Sequence, residues 1–421
     1  MDLKINPIQE VNAVLEAVPS KAETLRALFC ASLADGVSRI QKPLIAEDQF
    51  LCLKALEALG VHSTVKASAL RVQGLGGRFQ VPEDKLFLGN SGFGLRCLTA
   101  LSCLVSEGRV TLDGSKEMRR RPVAELLAAL NAQGVKAASL KANGCPPVQV
   151  AAGRPAGGIL SVDCSRSSQF LSGLLLLAPF AGQDTELVPS AKFSSRPFAD
   201  LTIDFLQKFG VACTATGKNL VVPAGQRFKK TTLRVGGDFS GMSALLAAPI
   251  LTGGKIVVKG LCKDSLQPDR FILDALRRMG AQVHMTTESV RVEANGTPHP
   301  LEADFNACPD LVPTVAVLAA FASGKSRLTG IAHLQFKESN RLNAVARELK
   351  RMGITARKGS DSLEIIGGRP RGATIQTYND HRIAMAFALA GLKAKGMKIL
   401  GAHCVEKSFP RFFEELARVG R

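Results

Sequence analysis

Four stretches of this 421-residue chain place cationic or hydroxyl side chains at the heads of apolar segments with helical spacing. SKAETLRALFCASL sets Ser20 at an N-cap position, Lys21 in the first turn and Arg26 in the second. LGNSGFGLRCLTALSCL opens with Asn90 and Gly92 and carries Arg96. SRSSQFLSGLLLLAP opens with Ser167, Ser168 and Gln169, and TYNDHRIAMAFALAGL sets Asp380, His381 and Arg382 against small apolar residues. A helix start exposes unpaired N–H groups and positive potential, so a cation there is unfavourable unless an anion is also present. One such start reads as a solvated surface residue. Four together read as an anion trap.

Acids accompany these cations. FKESNRLNAVARELKRMG supplies Lys337, Glu338 and Arg341. On a helix, Glu338 and Arg341 have the spacing of an i,i+3 ion pair, while Lys337 and Arg341 are like charges at i,i+4. Two readings stay open: an exposed charged helix face, or a carboxylate whose proton affinity is tuned by two cations. Asp310 in ACPDLVPTVAVL is a second acid at a helix start, where a plain N-cap is the alternative. ASGKSRLTG looks like part of a phosphate-binding loop, but Ala319 stands where its first glycine belongs and a helical stretch precedes it. It reads as a helix-to-strand turn, and GLGGRF at 74–79 as a weak glycine-rich turn.

Composition narrows the partners. Lys and Arg number 54 against 36 Asp and Glu, a net charge of +18 that favours anionic ligands. With no Trp and a single Tyr, stacking platforms for nucleic acid are poorly supplied, and the basic residues are dispersed. Ten cysteines and six histidines form no CxxC or HxxxH pattern, so reduced, mostly buried thiols and no metal site are expected. The N-terminus lacks the pattern of a secretory signal, and the apolar runs are too short to span a bilayer. A cytoplasmic protein without membrane or nucleic-acid partners is the simplest expectation.

The elements that must position these residues repeat along the chain. Six helical segments end at Gly60, Gly134, Gly210, Gly280, Gly353 and Gly420, spaced 67 to 76 residues apart. Each glycine suits a left-handed helix stop, and alternating stretches such as VHMTTESVRVEA then read as a hairpin. An apolar strand or helix precedes several of the segments, so each unit is roughly βαβαββ. Six such units pack three and three into two domains, with a hinge in the Pro/Gly-rich basic stretch at 223–241.

In this order, SKAETLR, LGNSGFGLR, DGSKEMRRRP, SRSSQFLSG, SSRPFADLT, GGDFSG, PDLVPTVA, FKESNRL, TYNDHRIAM and EKSFPRFF resemble the 5-enolpyruvylshikimate-3-phosphate synthase family along the whole chain. The resemblance implies an α/β fold of two similar domains, each built from three βαβαββ units as an inside-out α/β barrel, with the ligand cleft between them. The expected division is residues 1–18 with 237–421 as one lobe and 19–236 as the other. It further implies transfer of the enolpyruvyl group of phosphoenolpyruvate to shikimate 3-phosphate through a tetrahedral intermediate, without metal or organic cofactor, by a monomer. Lys21, Arg121, Gln169, Arg341, Arg382 and Lys407 are implied to hold phosphoenolpyruvate. Arg26, Ser167, Ser168, Ser195, Asp310 and Lys337 are implied to hold shikimate 3-phosphate, with Asn90, Gly92 and His333 also in the substrate-binding set. Asp310 and Glu338, assisted by Lys21, are implied to move protons.

Several positions depart from the family pattern: Ala22 stands for a Ser, Phe93 for a Thr, Cys97 for a Pro, Phe198 for a Tyr and His333 for an Asn. These are expected to crowd or reshape the pocket. Alternatives are the related UDP-N-acetylglucosamine enolpyruvyl transferase, whose Cys-bearing loop has no counterpart in DGSKEMRRRP, and a diverged paralogue with a binding role. In TYNDHRIAM, Asp380 is expected to orient Arg382.

Overall fold

The computed structural model describes residues 1–66, 68–190 and 193–420. Contacts divide the chain into two compact units: Met1–Ser20 with the chain from Gly236 onward, termed unit 1, and Lys21–Val235, termed unit 2. Each unit contains three sheets.

The middle repeat of unit 2 shows the plan. Strand Leu86–Phe87, helix Gly92–Leu101 and strand Arg109–Asp113 form a parallel crossover; helix Ala124–Ala132 and the hairpin Ala137–Ser139/Val148–Ala151 follow. The hairpin's second strand pairs antiparallel with Arg109–Asp113, so the spatial order is first, second, fourth, third. The same order recurs for Gly158–Val162, Thr185–Pro189, Asn219–Val222 and Thr214–Thr216 in unit 2. In unit 1 it recurs for Val11–Glu16, Gly254–Lys259, Ser289–Ala294 and Gln282–Met285, and for Glu302–Asp304, Lys325–Thr329, Ser362–Ile366 and Thr355–Lys358.

Two repeats are completed from a distance. The first repeat of unit 2 begins with helix Lys21–Leu33, and its missing parallel strand is supplied by Phe228–Lys229 and Thr232–Arg234, which pair with Ala34–Gln41. The last repeat of unit 1 has Thr374–Gln376 parallel to Met397–Leu400 but ends after helix Phe412–Val419. The N-terminal strand Leu3–Ile5 takes the fourth-strand place, antiparallel to Met397–Leu400.

Within each repeat the two helices differ. The first is buried all round: every residue of Gly92–Leu101 and of His381–Ala390 is buried, as is Val312–Ala320. The second keeps a polar outer face, as in Pro197–Lys208 and Arg341–Arg351. Each leucine of Leu174–Leu177, inside the buried helix Gln169–Leu177, removes its side chain from water and contributes about 1.5–3 kcal/mol.

The helix stops follow the expected chemistry with one exception. Gly60, Gly134, Gly210, Gly280 and Gly353 all have positive φ, the conformation that lets the chain reverse into the hairpin. Gly420, the exception, has φ −97°. ASGKSRLTG is a helix-to-strand turn between Val312–Phe321 and Lys325–Thr329. All ten cysteines are free thiols, eight of them buried. Among the described residues, no helix is long and apolar enough to cross a membrane.

Candidate active site

Within each unit the first helices pack on one another, Gly92–Leu101 on Gln169–Leu177 and Val312–Phe321 on His381–Ala390. In unit 2 the packing is visible in side-chain contacts. Arg96, in the second turn of Gly92–Leu101, donates from Nη1 to Gln169 Oε1 at the head of Gln169–Leu177 (2.6 Å) and from Nη2 to the Pro122 carbonyl (2.9 Å). Arg26 lies 4.5 Å from the centroid of the Phe93 ring, at the head of Gly92–Leu101.

Neutral acceptors hold these arginines. Arg26 is buried and donates to Thr202 Oγ1 (2.9 Å), the Ala22 carbonyl (3.0 Å) and the Phe198 carbonyl (2.7 Å). Burial lowers its pKa to about 10, against the pull of Cys97, Cys30 and Glu23, so it stays charged at neutral pH. Arg121 donates from Nη1 to the Asn90 carbonyl (3.1 Å) and to Asn90 Oδ1 (3.2 Å). Gly92 makes room for it: a Cβ there would overlap the Arg121 guanidinium. Lys21 pairs with an acid, Asp48, whose Oδ2 lies 3.1 Å from Nζ.

The hydroxyl residues lie at the same heads. Ser167 Oγ accepts from the Gln169 amide (3.2 Å), and Ser168 is buried at the N-cap position of Gln169–Leu177. Ser195 is buried with φ +58°, an uncommon left-handed backbone for a side-chain-bearing residue, at the turn into helix Pro197–Lys208.

In unit 1 the centre is Arg341, fully buried at the start of Arg341–Arg351. Its Nε and Nη2 grip Asp380 (3.0 and 3.2 Å), Nη1 meets Asp310 Oδ1 (2.8 Å), and Nη2 meets Glu338 Oε2 (2.8 Å). Three carboxylates raise the Arg341 pKa far above its usual range in spite of burial, which opposes the charge. These four bonds occupy four of the five N–H donors a guanidinium owns.

Asp310 is shared by further cations: Lys337 Nζ lies 3.9 Å from Oδ1 and Arg382 Nη2 3.7 Å from Oδ2. Burial alone would raise its pKa, but Arg341, Lys337 and Arg382 outweigh that and hold the carboxyl well below the usual range. Arg382 keeps two buried nitrogens, Nε and Nη1, without a hydrogen-bond partner among the described residues. A guanidinium so placed is underused without an anion. His333 and Lys407 are buried in the short turns Ala332–Phe336 and Ala402–Lys407.

Two expectations need correction here. Residues 337–340 are not helical, so the helical basis of the i,i+3 and i,i+4 reasoning for Lys337, Glu338 and Arg341 fails, although the Glu338–Arg341 bond itself forms, from a residue that precedes the helix. Asp380 does cap its helix, accepting from the Arg382 amide (3.0 Å), but its carboxylate orients Arg341 rather than the Arg382 side chain. Ser339 Oγ also donates to it (3.0 Å). Asp310 lies two residues before its helix, in the short turn Pro309–Leu311, and does not cap it.

Absent from the expected substrate-binding and proton-moving sets are partners of the residues in them, Asp48, Arg96 and Asp380, and the buried Asp269. Burial first, then the nearby Asp310 and Asp238, push Asp269 up to about 8 against Arg382 and Lys337, so it is protonated at neutral pH. Arg96 carried a signal, its place at a buried helix head. Asp269, in SLQPDR, had none.

The family model for EPSP synthase (3-phosphoshikimate 1-carboxyvinyltransferase) matches residues 5–416. The chain belongs to the EPSP synthase family. It is 38% identical over 421 residues to the 3-phosphoshikimate 1-carboxyvinyltransferase of Methanothermobacter thermautotrophicus, covering 100% of this chain and 99% of the relative. It is 41% identical to that of Methanoculleus marisnigri and 40% to that of Syntrophobacter fumaroxidans, each with 99% of both chains covered. Among solved structures, an EPSP synthase from Acinetobacter baumannii matches with a TM-score of 0.81 at 25% identity, over 100% of this chain and 98% of that one.

In this member of the EPSP synthase family two aromatic side chains meet on one residue. Phe93 and Phe198 both face the Arg26 guanidinium, at 4.5 and 5.9 Å from their ring centroids. The aromatic faces add cation–π attraction of about 0.5–2 kcal/mol each to the neutral acceptors that hold Arg26.

Proposed function

We infer that this chain is a 3-phosphoshikimate 1-carboxyvinyltransferase, moving the enolpyruvyl group of phosphoenolpyruvate onto the 5-hydroxyl of shikimate 3-phosphate. In the addition step the hydroxyl oxygen bonds to C2 of phosphoenolpyruvate, the hydroxyl loses its proton and the methylene carbon gains one. The resulting tetrahedral ketal then loses a methyl proton and inorganic phosphate, leaving the enolpyruvyl ether.

The observation that carries this reading is Arg341 gripping Asp310, Glu338 and Asp380 beside Lys337 and Arg382. Such a cluster supplies what the reaction needs, carboxylates that exchange protons and cations that bear the charge on phosphate. Asp310, held ionised, suits accepting a hydrogen bond or proton from the attacking hydroxyl; Glu338 and Lys21 serve the remaining transfers. Arg382, Lys407, Arg121 and Gln169, with part of Lys21 and the last donor of Arg341, bind phosphoenolpyruvate. Arg26, Asn90, Gly92, Ser167, Ser168, Ser195, His333 and Lys337 shape the shikimate 3-phosphate site. The reading carries a cytoplasmic monomer working without metal, organic cofactor, membrane or nucleic acid.

The test is phosphate release from the purified chain with shikimate 3-phosphate and phosphoenolpyruvate. Release is expected, and Glu338→Gln should slow it about 10²–10⁴-fold with folding intact. UDP-N-acetylglucosamine in place of shikimate 3-phosphate should give none. No release from folded protein at saturating substrates overturns the proposal.

A further inference from the structure

One motif remains outside the function, the glycine-rich turn GLGGRF. In unit 2 this turn follows strand Ala69–Leu75 and lines a pocket of about 140 Å³ with Asp35, Arg78, Phe180, Arg227 and Phe228. Gly76 and Gly77 both have positive φ (62° and 78°), and a Cβ on Gly77 would collide with the Phe180 ring. The glycines therefore bring the turn down against that ring and present Arg78 beside it. Arg227 enters from the segment that returns to pair with Ala34–Gln41. Leu33 ends the first helix at this pocket, so it lies about 18 Å along the helix axis from Lys21.

Three features of the lining select a ligand. Asp35, Arg78 and Arg227 are exposed, and among the described residues none of their side chains makes a hydrogen bond or ion pair, although they line one small pocket. Two guanidiniums in one concavity favour a carboxylate or phosphate. Asp35 opposes a purely anionic ligand and favours an ammonium. Phe180 and Phe228 stack with centroids 5.9 Å apart and planes 11° apart, forming an apolar wall on which a further ring can pack. A group bearing carboxylate, ammonium and ring satisfies all three.

We propose that this pocket binds a free amino acid with an aromatic side chain, its carboxylate on Arg78 and Arg227, its ammonium on Asp35 and its ring against Phe180. The site is separate from the residues assigned to catalysis, and its ligand is a small-molecule effector rather than a substrate.

The test is calorimetric titration of the full chain with L-phenylalanine. Saturable binding is expected, with 3-phenylpropionate, phenethylamine and L-alanine each weaker because each lacks one of the three groups. Arg227→Gln and Asp35→Asn should each weaken binding about tenfold, the loss of one charged hydrogen bond. Both residues are exposed and distant from Lys21, so phosphate release without the amino acid should be unchanged in both variants. Absence of saturable heat at millimolar L-phenylalanine overturns the proposal. So does binding of inorganic phosphate or 3-phenylpropionate as tight as that of L-phenylalanine, or equal affinity in the variants and the parent chain.

Discussion

The two units build helix-head clusters from the same repeat but satisfy their arginines differently. In unit 2, Arg26, Arg96 and Arg121 donate to backbone carbonyls, a hydroxyl and amide oxygens, all neutral. Uncharged acceptors orient a guanidinium without cancelling its charge. In unit 1, Arg341 is surrounded by Asp310, Glu338 and Asp380, so its charge is spent on organising acids. One repeat thus yields a cluster suited to recognising anions and a cluster suited to moving protons. The choice of acceptor around the buried guanidinium makes the difference.

The largest effect should come from breaking the acid cluster. Arg341→Met leaves Asp380, itself fully buried, without its cation, and should cost about 3–5 kcal/mol of stability by urea unfolding. Arg96→Met in unit 2 leaves the neutral acceptors Gln169 Oε1 and the Pro122 carbonyl behind, so its cost should be clearly smaller; equal losses would erase the distinction between the units.

Next, proton-linked stability should sharpen the contrast within unit 1. Asp269, raised to about 8, keeps its proton in the folded state while the unfolded chain loses it near pH 4. Its contribution is therefore present below about pH 4 and is lost as pH rises towards about 8. Asp310, depressed by its cations, contributes stability above the usual carboxylate range that is lost in acid. Asp269→Asn should flatten the decline in urea midpoint between pH 5 and pH 8, and an unchanged slope would remove Asp269 as its source.

Arg96→Lys tests recognition in unit 2. Lysine cannot reach Gln169 and the Pro122 carbonyl together, so KM for phosphoenolpyruvate should rise about tenfold with a smaller change in kcat. A loss in kcat alone would mean that Arg96 serves the chemistry and not binding. The smallest effect is expected from Phe93→Leu, which removes one ring from Arg26 and should cost about 0.5–1 kcal/mol by thermal unfolding.

Much of the architecture was legible because it is local. Helical periodicity and a glycine stop recur about every seventy residues, and the glycines that precede hairpins take the left-handed conformation their positions demand. The cation-bearing helix heads were legible too, since Lys21, Gln169 and Arg382 all lie in the first two residues of buried helices. The segment before Arg341 was misread because charge spacing suggests a helical pair whether or not the backbone is helical there.

By itself the sequence determined the repeat, its helix stops, the positive balance and the residue types gathered at the helix heads, because each depends on neighbours within a few residues. Tertiary structure alone decided which carboxylate meets which cation. It also decided that Phe228–Arg234 would complete the first repeat of unit 2 and Leu3–Ile5 the last repeat of unit 1. Asp380 lies 39 residues from Arg341 and Asp48 lies 27 from Lys21. Such partners are chosen by burial, where an unpaired charge is costly and only the packed chain brings the matching group within reach.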